Sequence, residues 1–240
     1  MKNILIDIGN SSHCKTALSD DSGILQVYRV PRSSLRETVA GILSVEGPVD
    51  GIYMSSVAEG DPELNGWLAD RCGRFVEVNA FIPMPIKVDY DTPETLGADR
   101  IAAAAGAHAM FPGENCIIFD FGTALTVDFI DASGTFSGGN ISPGLSMRFN
   151  AVHQFTGRLP LVSPSAPVRQ EGKSTSEAIN NGVVLGIMFE VEKYINNNPG
   201  SKVIFTGGDA LFFAKKLKTP IFVACNLVLT GLFQIAQLNV

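Results

Sequence analysis

The sequence predicts an α/β fold built on a duplicated domain, and three observations carry that prediction. Residues 116–131, CIIFDFGTALTVDFID, hold an apolar run, an Asp-x-Gly turn with a small hydroxyl residue, and a second apolar run. That is the pattern of a buried strand, a tight turn and a return strand, with Asp120 and Thr123 left at the turn. Residues 4–18, ILIDIGNSSHCKTAL, repeat the plan, with Asp7, Gly9 and Ser11 where the later stretch has Asp120, Gly122 and Thr123. Around the two hairpins, helix-like and strand-like segments alternate. Two matched hairpins half a chain apart are expected to face their turns toward each other across a cleft.

Such turns suit phosphate chemistry. Glycine lets a backbone approach a phosphate closely, and neighbouring amides and hydroxyls then hydrogen-bond it. A carboxylate beside the turn can hold a hydrated magnesium ion, which prefers oxygen ligands and keeps several waters. One Asp-x-Gly is most often an ordinary turn. Two in the same setting, each after an apolar strand and before a hydroxyl, are a far stronger signal.

The elements follow in order. A third strand is predicted near residues 23–30, and Ser33 or Ser34 is placed to cap a helix running to about Ser44. Residues 51–57, GIYMSSV, read as a strand with Ser55 and Ser56 at its end. Residues 62–73 read as helix and 74–78 as strand. A proline-marked connection over 81–88 leads to Thr92-Pro93, a helix-start pair. The alanine run 102–105 continues that helix with a small-residue face, and Asp99-Arg100 stand just ahead of it. As residues alone, that pair is equally a surface first turn, where an acidic side chain suits the helix dipole.

After the second hairpin, residues 134–144 (GTFSGGNISPG) read as a glycine-rich connection, and 145–153 as helix. Residues 157–173 lack periodicity and are expected to form a long surface segment or lid. Residues 174–196 form a helix opened by a capping box, with Ser174 three residues before Glu177. Residues 202–208, KVIFTGG, are a strand into a double glycine; helix (209–217), strand (221–223) and a closing apolar helix (226–238) follow. A strand, a glycine pair and a helix amino terminus can place amides against a nucleotide, and the same arrangement also serves as an ordinary βα turn.

At 240 residues the chain can form one large domain or two small ones. A formal charge of −6 argues against nucleic acid or an anionic membrane as partner. No apolar run is long enough to span a bilayer, and no leader pattern opens the sequence. Cys14, Cys72, Cys116 and Cys225 are scattered, and three histidines give little support to a zinc site. Reduced thiols and a cytoplasmic location are the expectation.

Together these pieces resemble the type III pantothenate kinases, members of the superfamily of acetate and sugar kinases, Hsp70 and actin. The matching segments are Asp7-Ile8-Gly9-Asn10-Ser11, Tyr90 with Gly97-Ala98-Asp99-Arg100, Asp120 to Thr126, Gly138 to Gly144 and Thr206-Gly207-Gly208. The Asp-x-Gly hairpins mark the superfamily, and the Gly-Ala-Asp-Arg element narrows it to this family. The resemblance implies two RNase H-like (actin-like ATPase) domains in tandem around a central nucleotide cleft, divided as 1–114 and 115–240, in a homodimer. It implies transfer of a phosphoryl group from ATP, with magnesium, to pantothenate, giving 4'-phosphopantothenate in the first step of coenzyme A biosynthesis.

Carried over position by position, Asp7, Ile8, Gly9, Asn10, Ser11, Ser12, His13 and Cys14 would form the first ATP phosphate turn, with Asp7 near magnesium through water. Thr123 would contact ATP phosphate. Asp120 would ligate a monovalent cation, potassium or ammonium. Tyr90, Gly97, Ala98, Asp99, Arg100 and Thr175 would form the pantothenate pocket, with Asp99 as general base. As residues alone, Tyr90 reads equally as a linker anchor and Thr175 as a helix cap. Ser12 and His13 are expected to face solvent.

One departure stands out. The family's lysine, seven positions after the first aspartate, is Cys14 here, and Lys15 lies one further on. A one-residue slip in a strand moves a side chain to the opposite face. Either the turn carries an extra residue and Lys15 still reaches phosphate, or that cation is missing. Two rival readings remain: a kinase for another small hydroxylated substrate, and a nucleotide-binding regulator of the same fold that lacks turnover.

Overall fold

The computed structural model describes residues 1–57, 60–165 and 168–239. The chain opens with β1 (Asn3–Ile8), β2 (His13–Asp20), β3 (Gly23–Pro31), α1 (Leu35–Glu46), β4 (Val49–Ser56), α2 (Pro62–Ala69) and β5 (Cys72–Glu77). It continues with β6 (Lys87–Val88), α3 (Ala98–Met110), β7 (Cys116–Phe121), β8 (Ala124–Ile130), β9 (Thr135–Pro143) and α4 (Leu145–Gln154). The last elements are α5 (Thr175–Asn197), β10 (Lys202–Thr206), α6 (Ala210–Ala214), β11 (Phe222–Val223) and α7 (Leu227–Leu238).

The chain packs as two compact units. One comprises Met1–Glu114, Ile130–Gly138 and the closing segment from Asn226; the other comprises Asn115–Phe129 and Gly139–Cys225. In the first unit the strands lie in the order β3-β2-β1-β4-β5, with β1 antiparallel to β2 and parallel to β4. Period-two alternation divides this sheet's residues between its faces. Ile4, Ile6, Ile8, Cys14, Leu18, Ile52 and Met54 form one core with Leu35, Val39 and Ile42 of α1 and Leu64 and Leu68 of α2. The opposite face meets α3 and α7. There the Tyr53 hydroxyl donates to the Asn239 carbonyl at 2.8 Å.

The alanines of α3 explain how α7 joins this unit. Ala102 to Ala105 are buried, and small side chains let two helix backbones approach. A Cβ on Gly231 of α7 would lie 1.7 Å from the Ala102 carbonyl oxygen, and one on Gly106 would lie 2.5 Å from that of Leu227. Replacing Gly231 with alanine must therefore push the helices apart. The expected cost is about 3 kcal/mol, roughly 6–12 °C in melting temperature for a chain of this size. A thermal melt within a degree of the parent would refute the close contact.

In the second unit the strand order is β11-β10-β7-β8-β9, with β10 parallel to both β7 and β11. Its core is aromatic: Phe121 stacks on Phe213 at 4.9 Å between centroids and meets Phe205 at 4.7 Å. Helix α5 is capped as expected, the Ser174 hydroxyl accepting the Glu177 N–H at 3.2 Å.

Two readings are corrected. Residues 134–144 form a strand over Thr135–Pro143 instead of a connection. Their glycines serve close approach within a sheet: a Cβ on Gly139 would fall 1.9 Å from the Val127 carbonyl oxygen. Thr92-Pro93 opens a single 3-10 turn, Pro93–Thr95, whose Thr95 hydroxyl bonds back to Thr92 at 2.8 and 2.9 Å. The α-helix begins at Ala98 behind Gly97. Asp99 and Arg100 are thus inside its first turn. Residues 155–165 and 168–174 contain neither helix nor strand, as the surface-segment reading expects.

Candidate active site

In the first unit the site begins where β1 ends. Register pairs Asp7 with Lys15 across the β1–β2 hairpin and with Ser55 on β4. Residues paired in register project to the same face, so Lys15 lies on the Asp7 side and Cys14 on the other. A cation therefore shares the face of the Asp7 carboxylate. Ile8 and Cys14 are buried in the opposite core, which leaves only their backbone to serve a phosphate. Gly9 is half-buried, and Asn10, Ser11, Ser12 and His13 are exposed. The Ser11 hydroxyl donates to the His13 carbonyl at 2.8 Å and shapes the turn.

Asp7 is an electrostatically costly residue. Burial pushes its carboxyl up to about 6, with Lys15 opposing the rise and Asp99 adding to it. Asp99 is also raised, chiefly by burial, although its carboxylate accepts the Arg100 N–H at 2.8 Å and the Arg100 charge favours ionisation. Gly97 makes room for it: a Cβ there would stand 2.6 Å from Asp99 Oδ1. Two acids whose charges reach one another, both short of solvent, form a site that calls for a cation.

Arg100 is 6% exposed, and its guanidinium lies over the rings of Tyr90 (5.7 Å) and Phe136 (5.6 Å). The two rings meet at 6.2 Å. Tyr90, Gly97, Ala98, Asp99 and Arg100 thus assemble in one place, with Ala98 buried beneath them. Phe136 is a member that the sequence reading missed. Read as a strand, residues 134–144 would have put Phe136 and Gly138 on one face, beside Tyr90, since a Cβ on Gly138 would meet the Tyr90 ring at 3.4 Å.

In the second unit the same plan recurs at the end of β7. Asp120 is half-buried, and Gly122 and Thr123 are exposed in the turn. Two other segments close on this turn. The Gly144 N–H donates to the Thr123 carbonyl at 3.1 Å, and a Cβ on Gly144 would fall 2.3 Å from that oxygen. Gly207, at φ +90, lies so near that a Cβ would be 2.4 Å from Asp120 Oδ1. Arg148 holds the Gly144 segment in place: its Nε donates to the Pro143 carbonyl at 2.7 Å, and it pairs with Glu190. Thr175 is the first residue of α5, exposed, and Ser174 does the capping.

Among the described residues no group of three or more His, Cys, Asp or Glu side chains could hold a metal ion, and no helix is long and apolar enough to cross a membrane. A hydrated magnesium ion needs no such cage. One carboxylate and the nucleotide's own oxygens suffice, and half-buried Asp7 fits that demand.

Residues 3–197 match the family model of type III pantothenate kinase. The chain belongs to the type III pantothenate kinase family. A type III pantothenate kinase of Cytophaga hutchinsonii is 42% identical over 242 residues, covering 99% of this chain and all of that protein. Another, from Porphyromonas gingivalis, is 38% identical, with 99% of each chain covered. Among solved structures, the activator of the 2-hydroxyisocaproyl-CoA dehydratase from Clostridium difficile, with bound ADPNP, superposes with a TM-score of 0.59 over 100% of this chain and 96% of that one. At 13% identity that likeness speaks for the fold alone. The kinase therefore has the mixed α/β fold that the paired hairpins predicted and the actin-like ATPase architecture that the family resemblance implied.

Proposed function

We propose that this kinase transfers the terminal phosphoryl group of ATP to the primary hydroxyl of pantothenate, with Asp99 as the general base. The observation that carries the reading is the Tyr90, Gly97–Arg100 cluster, which sets a half-buried carboxylate next to a buried arginine whose guanidinium lies over two rings. An alcohol loses its proton late in a loose phosphoryl-transfer transition state, so a carboxylate that orients the hydroxyl suffices. Burial raises Asp99 and makes it a better proton acceptor than an exposed aspartate. Arg100 can fork onto the carboxylate of pantothenate, and the rings beneath it hold the guanidinium plane. Thr175 is assigned to the same substrate.

The turn from Asp7 to Cys14 is assigned to ATP phosphate, served by the Ser11 and Ser12 hydroxyls, by backbone amides and by Lys15 from the Asp7 face. Asp7 would hold magnesium through water, and the metal supplies neutralisation of phosphate charge. Thr123 is assigned to ATP phosphate as well, on a turn held by Gly144 and Gly207. Asp120 is assigned to a potassium or ammonium ion. A homodimer is also proposed. Its support is the exposed apolar trio Ile141, Met147 and Phe189, each next in sequence to a member of the Ser142–Arg148–Glu190 network. A cytoplasmic location and no nucleic-acid partner complete the reading.

The test is release of ADP from ATP in magnesium buffer, with and without pantothenate. Pantothenate-dependent release, with phosphopantothenate identified by mass, is expected in potassium or ammonium. Equal rates in sodium alone would remove the cation role from Asp120. ATP binding without release would favour another acceptor or a regulator.

A further inference from the structure

Ser55 has no assigned role, yet it is an anomalous polar residue beside the site. It is fully buried, at 0% exposure, and its hydroxyl finds no hydrogen-bond partner. Buried side-chain hydroxyls are nearly always bonded, and an orphan in a core strand weakens the fold unless something completes it. Its location says what that something is. Lys15, Asp7 and Ser55 form one row across β2, β1 and β4, paired in register on adjacent strands and on one face of the sheet. Just beyond it, Val57 donates its N–H to the Ile8 carbonyl at 3.1 Å, and its side chain lies 3.8 Å from where a Cβ on Gly97 would stand. The segment that carries Ser55 therefore runs from the Asp7 row to the helix turn that carries Asp99.

We propose that Ser55 is a positioning residue for Asp7: its hydroxyl, with no space beside it for a water, is the donor kept for the carboxylate that would hold the hydrated magnesium of the nucleotide. Lys15 flanks that carboxylate from one strand and Ser55 from the other, so the side chain is fixed from both sides once it is ionised against the metal. A hydroxyl suits this place because it can donate to a carboxylate without adding a second charge to an already acidic site. The inference rests on the kinase reading given above.

The experiment compares the parent with Ser55→Ala and Ser55→Thr in three measurements: melting of the ligand-free protein, calorimetric binding of ADP without metal, and binding of ADP with magnesium. In Ser55→Ala the ligand-free protein is expected to melt at the parent's temperature or above, because an orphan hydroxyl has been removed. ADP binding without metal should be unchanged, while the gain in affinity that magnesium brings falls about tenfold, the usual effect of deleting an outer partner of a metal ligand. Ser55→Thr, which keeps the hydroxyl and suits a strand, should recover most of that gain. A magnesium gain in Ser55→Ala within about twofold of the parent, on the same scale, would overturn the proposal. So would a lowered melting temperature with metal-free and metal-bound ADP affinity falling together, the mark of a purely structural serine. If the parent binds magnesium-ADP and phosphorylates pantothenate while Ser55→Ala behaves like it, this inference alone fails. If the parent does neither, the kinase reading fails first.

Discussion

Replacing Asp99 with asparagine is expected to lower kcat by about 10²–10⁴-fold, the range that a positioned general base contributes. Asparagine has nearly the same shape, and its side-chain oxygen can still accept the Arg100 N–H that the carboxylate accepts at 2.8 Å. What it cannot do is take a proton. With Asp99 in the proposed role at the substrate hydroxyl, ATP affinity should stay close to that of the parent, and the loss should appear in turnover. Single-turnover rates alongside nucleotide binding separate the two. An undiminished rate would remove Asp99 as base, and loss of nucleotide binding with intact chemistry would move it to a different role. The raised carboxyl also fixes a sign. Below its displaced pKa the base is protonated, so the acidic limb of the kcat profile should lie above the ordinary aspartate value of 3.8.

Replacing Asp7 with asparagine is expected to disable the kinase and stabilise the protein at the same time. In the unfolded chain Asp7 titrates near 3.8, and in the fold near about 6. Between those values the native state binds more protons than the unfolded state, so stability falls as pH rises through that window and remains low above it. The displacement corresponds to about 3 kcal/mol when the carboxylate is fully ionised. Asparagine removes the charge, and a gain of roughly 1–3 kcal/mol is expected at neutral pH, vanishing near pH 4. Denaturant melts of parent and variant across that pH range test it. A variant less stable than the parent at neutral pH would show that Lys15 already compensates the burial in full. The two effects share one cause: a carboxylate kept short of solvent and close to a second acid is poorly satisfied alone, and the proposed magnesium ion would supply the missing positive charge.

Much of this was written locally. The two strand–turn–strand segments were legible because a buried strand, an Asp-x-Gly turn and a return strand depend on neighbouring residues only, and β1–β2 and β7–β8 fall where the apolar runs put them. The capping of α5 by Ser174 is equally local. What the residues could not state was register. Whether Lys15 or Cys14 shares a face with Asp7 turns on a single residue in the hairpin, and only the pairing of Asp7 with Lys15 decided it. The glycines of β9 misled for a related reason: in sequence, a glycine needed for a close approach to Val127 looks the same as a glycine needed for a turn. Phe136 was lost with that strand. The closing helix α7 is the largest case. Its apolar sequence foretold a buried helix, and the division at 115 counted it with the second domain, whereas it packs in the first unit. That depended on Gly231 and the alanines of α3 meeting from positions over a hundred residues apart in the chain, a fit of surfaces that exists only once both helices are in place.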